Sequence, residues 1–244
     1  MTETYFNIRY EFDKNHVDKS IDKLVSKSVP TYICVADGVV LTIVNRNPEY
    51  SKVVNDGAFS ICDSSYVPVY LRWIYGIKRE QYCGSQIFMN LIQKKKYRMF
   101  FMGTSAKTLA GLKENLVKMD NRIVDMTFYE LPFRAVDQFD YQEIAEKVNA
   151  DGADIIWVAL GAPKQEIFMS KLKPFLKHGV MIAVGAAFKF YSGTDEKRAP
   201  EWMLKSHMEF VYRIFRDPKK QLKRCAWIIY TLPGLLYSEW KKRK

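Results

Sequence analysis

The segment "ALGAPKQEIFM", residues 159–169, ends the apolar run "DIIWVA" with several groups able to hold a ligand on one turn. Gly161 lets a backbone come close to a ligand. Pro163 suits the first turn of a helix. The N–H groups and positive dipole end of that helix would then favour an anion such as a diphosphate. Lys164 adds a cation, Gln165 a group that donates and accepts, and Glu166 a first-turn acid. The same letters also spell a plain strand-to-helix turn with a solvated lysine, and the pattern alone leaves both readings open.

Four other stretches invite the same question. In "AVGAAFKFYSGTDEKRAPEW", Gly185 and two alanines allow close approach at a strand end, and Lys197 and Arg198 precede Pro200 on an extended segment. A loop closing the domain on its Trp is the plainer account, but it does not explain the small residues. In "AFSICDSSYVPV", Asp63 ends an apolar strand. It could cap the next helix, or serve as a general base. In "LTIVNRNPEY", Asn45 and Asn47 read as turn formers before Pro48, or as ligands for hydroxyls or a base edge. In the tail, Arg213, Arg216, Lys220, Lys223 and Arg224 fall beside Phe210, Ile214, Phe215 and Trp227. A basic amphipathic segment with aromatics fits an anionic lipid surface. Nucleic acid would attract it too, and a helix packed on the body with a solvated face is the plainer alternative.

These groups need elements to position them. Short apolar runs alternate with amphipathic stretches, the rhythm of a mostly parallel sheet covered by helices on both faces. Strands are expected in "AFSICDS", "YRMFFMGTS", "RIVDMTFYE", "ADIIWVALGAP" and "VMIAVGAAFKFYSG", the last running into a Gly/Ala-rich turn, and two short strands around Asp37-Gly38 in "TYICVADGVVLTIVN". Helices are expected in "PEYSKVVND", "SQIFMNLIQKKK", "AKTLAGLKENLVKM", "FDYQEIAEKVNADG" and "KQEIFMSKLKPFL", while "SYVPVYLRWIYG" fits either. Three strand ends carry glycine: Gly103, Gly161 and Gly185. Ligands of open α/β sheets sit beyond such ends. "DEKRAPEW" divides an α/β core, 1–200, from a basic helical appendage, 201–244.

The 244 residues suffice for one large α/β domain, or a medium domain with an appendage. The chain carries a net charge of +11, concentrated at one end: from Lys197 onward 13 Lys+Arg face 4 Asp+Glu, against 25 and 23 in the rest. That asymmetry suggests an anionic partner. Cys34, Cys62, Cys83 and Cys225 show no paired spacing, and with three histidines no zinc site is expected. The polar start predicts no secretory leader, and no run reaches the ~20 apolar residues of a spanning helix.

Taken in order, "ALGAPKQEIFM", "AVGAAFKFYSG", "KRAPEWM" and "EFVYRIFRDPKK" resemble the WecG/TagA/CpsF family of bacterial glycosyltransferases. "NRNPEY", "CDSS" and "CGSQIF" extend the resemblance, which covers approximately residues 33–236. It implies a Rossmann-like core. It also implies inverting, metal-independent transfer from a UDP-sugar to a polyprenyl-diphosphate-linked sugar, with no cofactor, at the cytoplasmic face of the membrane. Asp63 falls on the family's catalytic aspartate, Gln165 on a donor-site glutamine, and Arg213 and Arg224 on arginines of the appendage. Arg216 and Lys220 join these as groups for membrane or diphosphate. Asn45, Asn47, Arg79, Gly103, Gly161, Pro163, Lys164, Glu166, Gly185 and Arg198 complete the expected substrate site. Asn45 stands where the family has threonine, Ser64 where it has glycine, and Asp217 where glutamate is usual. Gln81 replaces an arginine, with Arg79 near. The expected partners are donor, acceptor and an anionic membrane surface, without nucleic acid, and a homo-oligomer is left open. A silent UDP-sugar-binding regulator or scaffold is the alternative.

Overall fold

Six consecutive residues of "TYICVA" alternate their side chains between two faces, and both faces are apolar. Such a strand must be buried on both sides, which calls for parallel neighbours and covering helices. The computed structural model describes residues 2–193, 199–200, 202–203, 206 and 208–243, and in it this segment is β3 (Thr31–Ala36). Beside it lie β4 (Phe59–Cys62), β5 (Met99–Gly103), β6 (Thr127–Tyr129), β7 (Ile155–Ala159) and β8 (Val180–Ala183). A hairpin, β1 (Glu3–Tyr5) and β2 (Ile8–Tyr10), is added at one edge. The order is β1-β2-β4-β3-β8-β7-β5-β6, and among the described residues only the β1–β2 pair is antiparallel. The chain leaves β3 for β4 on one side and then crosses to β5 on the other. The two halves of the sheet meet at β3 and β8, the kind of switch point where open sheets bind ligands.

Tyr32 and Cys34 point into one core, with Leu41 of α2 (Gly38–Val44), Tyr50 of α3 (Pro48–Asn55), Leu71 of α4 (Val67–Tyr75), Ile144 of α7 (Tyr141–Asp151) and Phe168 of α8 (Lys164–Leu172). Ile33 and Val35 point into the other. There they meet Ile21 of α1 (Lys14–Ser26), Phe88 of α5 (Gly84–Gln93), Leu112 of α6 (Ala106–Val117) and Phe188 of α9 (Ala187–Ser192). Phe88 sits edge-on to Trp157 at 4.8 Å between ring centres, and both are fully buried. Two further helices end the described chain, α10 (Glu209–Arg216) and α11 (Pro218–Lys241).

The α/β reading and the C-terminal helix are what the structure has. Ala187–Ser192, expected within a Gly/Ala-rich turn, is helix α9, and a second element also differs. The stretch after Asp37 is helix α2, not a second strand, because the Asp37 carboxylate caps Val39 N at 2.8 Å and Val40 N at 3.0 Å. A hairpin there is also impossible in this sheet, since β3 already has β4 and β8 on its two edges. The ambiguous "VPVYLRWIY" is helix α4, ended by Gly76 in a left-handed turn. Of "RIVDMTFYE", only Thr127–Tyr129 is strand, after a 3-10 turn.

Candidate active site

Asp37 and Asp63 follow Ala36 and Cys62, which are register partners on β3 and β4. Two carboxylates therefore stand side by side at the carboxyl end of the sheet. Both line a cavity of about 890 Å³ that runs over the ends of β3, β4, β5, β7 and β8. Asp63 is held twice through its own residue: its Oδ1 accepts from Gly84 N at 2.8 Å, and its carbonyl accepts from Gln81 Nε2 at 2.6 Å. It thus caps α5, not the next helix α4, and faces the cavity while doing so. Asp37 is engaged by Arg224 of α11. The C-terminal helix thereby reaches back to the floor of the cavity.

The β7 end supplies the second wall. Gly161 has φ +77, and a Cβ there would meet nothing within 4 Å, so this backbone faces open space. Gly185, after β8, has φ +51. Gln165 fills the gap between them: its Oε1 accepts from Gly161 N at 3.1 Å and lies 3.9 Å from where a Cβ of Gly185 would be. Lys164 donates to Arg134 O and lies over the rings of Phe133 and Phe139, at 5.4 and 5.0 Å. Desolvation there holds its ammonium below the usual lysine range. Phe133 is fully exposed at the cavity rim. Arg216, Asp217, Gln221 and Arg224 close the far side from α10, α11 and the turn between them.

The cavity brings together Asp63, Gly161, Lys164, Gln165, Gly185, Arg216 and Arg224. Other candidates fall elsewhere. Asn45 ends α2, donates to Phe6 O and Leu41 O, both at 2.8 Å, and accepts from Asn7. Asn47 caps α3 through Tyr50 N. Arg79 pairs with Glu3, 2.9 Å from Nε to Oε2. None of these three lines the cavity. Gly103 serves packing: a Cβ there would lie 2.5 Å from Ala159 O. Pro163 precedes α8 behind the lining residues Ala162 and Lys164, and Glu166 is wholly buried. Arg198 lies outside the described residues, as do the side chains of Arg213 and Lys220. Sequence reading missed Asp37, Phe133 and Gln221. For Asp37 the signal was present, because "YICVAD" and "FSICD" both end an apolar strand on aspartate.

Chemically, the cavity offers a fixed carboxylate able to accept a proton, glycine turns open to a ligand, and arginines on a separate element. A sequence model of the glycosyl transferase WecG/TagA/CpsF family matches residues 6–244. The chain is 28% identical over 215 residues to an N-acetylglucosaminyldiphosphoundecaprenol N-acetyl-beta-D-mannosaminyltransferase of Bacillus spizizenii, covering 84% of this chain and 81% of the relative. It is 25% identical over 252 residues to the Bacillus subtilis protein of the same description, covering 99% and 94%.

Proposed function

The chain belongs to the WecG/TagA/CpsF family of glycosyltransferases, and from that premise we propose that it moves a sugar from a UDP-sugar to a polyprenyl-diphosphate-linked sugar. The acceptor follows the relatives, whose descriptions specify N-acetylglucosaminyldiphosphoundecaprenol, and N-acetylmannosamine is the donor sugar to try first. The observation that carries the reading is the placing of Asp63 and the Gly161 turn in one cavity at the sheet's switch point.

In this account Asp63 takes the proton of the acceptor hydroxyl as that oxygen attacks the anomeric carbon. The bond to the UDP oxygen breaks on the opposite face, so an α-linked donor gives a β-linked product. The donor's diphosphate lies against the Gly161 and Gly185 turns. Negative charge grows on it as the bond breaks, and Lys164, Arg216 and Arg224, which line the cavity, would meet that charge without a metal. Residues 201–244 act as an appendage that carries the enzyme to the inner face of the membrane. Supporting this, Leu222, Ile229, Tyr230, Tyr237 and Trp240 of α11 are exposed beside Lys219, Lys223 and Lys241. Among the described residues no helix is long and apolar enough to cross a membrane, so the contact proposed is peripheral.

The test is transfer of labelled sugar from a panel of UDP-sugars to N-acetylglucosaminyl-diphospho-undecaprenol in anionic vesicles. Product with inverted anomeric configuration is expected. A UDP-sugar that binds tightly, with no product under any acceptor condition, would replace this reading by that of a silent sugar-nucleotide sensor.

A further inference from the structure

Glu166 ends the "PKQE" stretch, in the first turn of α8, yet it has no exposed surface. It cannot touch a ligand. We infer that it is a positioning residue: its carboxyl fixes the Gln165 amide, and through that amide the Gly161 turn. This rests on reading that turn as the cradle of the donor's diphosphate.

The geometry is a relay. Glu166 Oε2 accepts from Tyr50 Oη at 3.0 Å, and Oε1 accepts from Gln165 Nε2 at 2.9 Å. Gln165 Oε1 in turn accepts from Gly161 N. The orientation has one solution. A backbone N–H can only donate, so the amide oxygen must face Gly161, and the amide nitrogen is then left to face Glu166. The second hydrogen on that nitrogen remains for the cavity, which Gln165 lines. Remove the acceptor behind it and the amide has no reason to keep its nitrogen inward, because a buried donor without a partner is costly. Tyr50 fixes the relay from α3, across the core from the turn.

Charge adds a readout. Burial pushes the Glu166 carboxyl up to about 7. The titratable groups facing it are Tyr50 on α3, Cys34 on β3 and Asp37 at the β3 end. Tyr50 and Cys34 are held above their usual values by burial, so they stay neutral through pH 8. Protonated Glu166 keeps both contacts, by donating to Tyr50 Oη and accepting from Gln165. Deprotonated, it keeps them also, but sets a negative charge behind the bound anion. Affinity for an anionic donor therefore weakens as pH rises through about 7, and a glutamine at this position does not titrate.

The experiment is a double-mutant cycle on the full chain, read as the Kd of UDP-N-acetylmannosamine, whose diester phosphates do not titrate between pH 6 and 8. Glu166→Met, which accepts from neither partner, should weaken binding about 10-fold, and Glu166→Gln should restore it. On a Gln165→Met background, Glu166→Met should add less than about 2-fold. Wild-type Kd should rise several-fold from pH 6 to pH 8, while that of Glu166→Gln stays level. If Glu166→Met unfolds the chain, Tyr50→Phe, which removes the carboxyl's other partner, takes its place in the same cycle. Equal binding by wild type and Glu166→Met, an undiminished effect on the Gln165→Met background, or matching pH profiles overturns the inference. A wild type that binds no UDP-sugar removes the donor reading itself, and this inference with it.

Discussion

Glu166 is a carboxyl enclosed by apolar packing, and the enclosure has a cost in stability that depends on pH. Its ordinary value of 4.5 is raised to about 7 in the folded chain. Between those values the unfolded chain has lost the proton and the folded chain has kept it. The group thus favours folding fully below about 4.5, progressively less as pH rises, and not at all above about 7. A shift of this size corresponds to about 3 kcal/mol. Other groups titrate over the same range, so the informative quantity is the difference between two proteins. Glu166→Gln should gain on wild type by roughly 2–3 kcal/mol between pH 5 and pH 8, measured from urea midpoints. A constant difference would mean that the carboxyl is solvated. Asp63 is placed by the opposite means, with a backbone N–H holding one oxygen while the group faces the cavity.

At the level of elements, the site depends on strand ends lying close together. Gly103 ends β5 in register with Ala159 on β7, at φ +114. Gly103→Ala would press a methyl against the Ala159 carbonyl in a backbone region that side chains avoid. A loss of at least about 2 kcal/mol is expected in urea unfolding, with weaker UDP binding because the β7 end must move. Stability equal to wild type would show that the two strands separate easily. The parallel core was legible because strands such as "IIWVA" are apolar throughout and are followed by Gly-rich turns and helical spacing. The stretch "GVVLTIV" was not, since its β-branched residues favour strand. Asp37 capping and the need to cross to β4 outweigh that preference. The same error hid Asp37 from the site, and left Asn45 and Asn47 as candidates when their side chains are committed to helix ends. The β1–β2 edge was illegible because three-residue strands have almost no periodicity to read. In the site, the glycine turns and Asp63 could be read from local pattern. That Glu166 is internal depends on Tyr50, more than a hundred residues away.

Across the whole molecule, α11 ties the C-terminal end to the body at several places. Arg224 meets Asp37, Tyr75 Oη meets Glu239 Oε1 at 3.0 Å, and Lys242 Nζ meets Asn7 Oδ1 at 2.7 Å. The helix has a fastened side and a side bearing the exposed Leu222, Ile229 and Tyr237. If the second side meets lipid, Ile229→Ala with Tyr237→Ala should reduce cosedimentation with phosphatidylglycerol vesicles at least about 5-fold and leave the melting temperature within a few degrees, since exposed side chains contribute little to folding. Unchanged vesicle binding would move the membrane face elsewhere. If Asp63 is the base in a cavity that binds the donor independently of it, loss of its carboxylate must spare binding and stop transfer. The most direct measurement follows wild type and Asp63→Asn together, recording UDP-sugar binding and sugar transfer to the lipid-linked acceptor. Binding within a few-fold of wild type and transfer reduced about 100-fold or more are expected. Transfer at the wild-type rate by Asp63→Asn would contradict that role for Asp63.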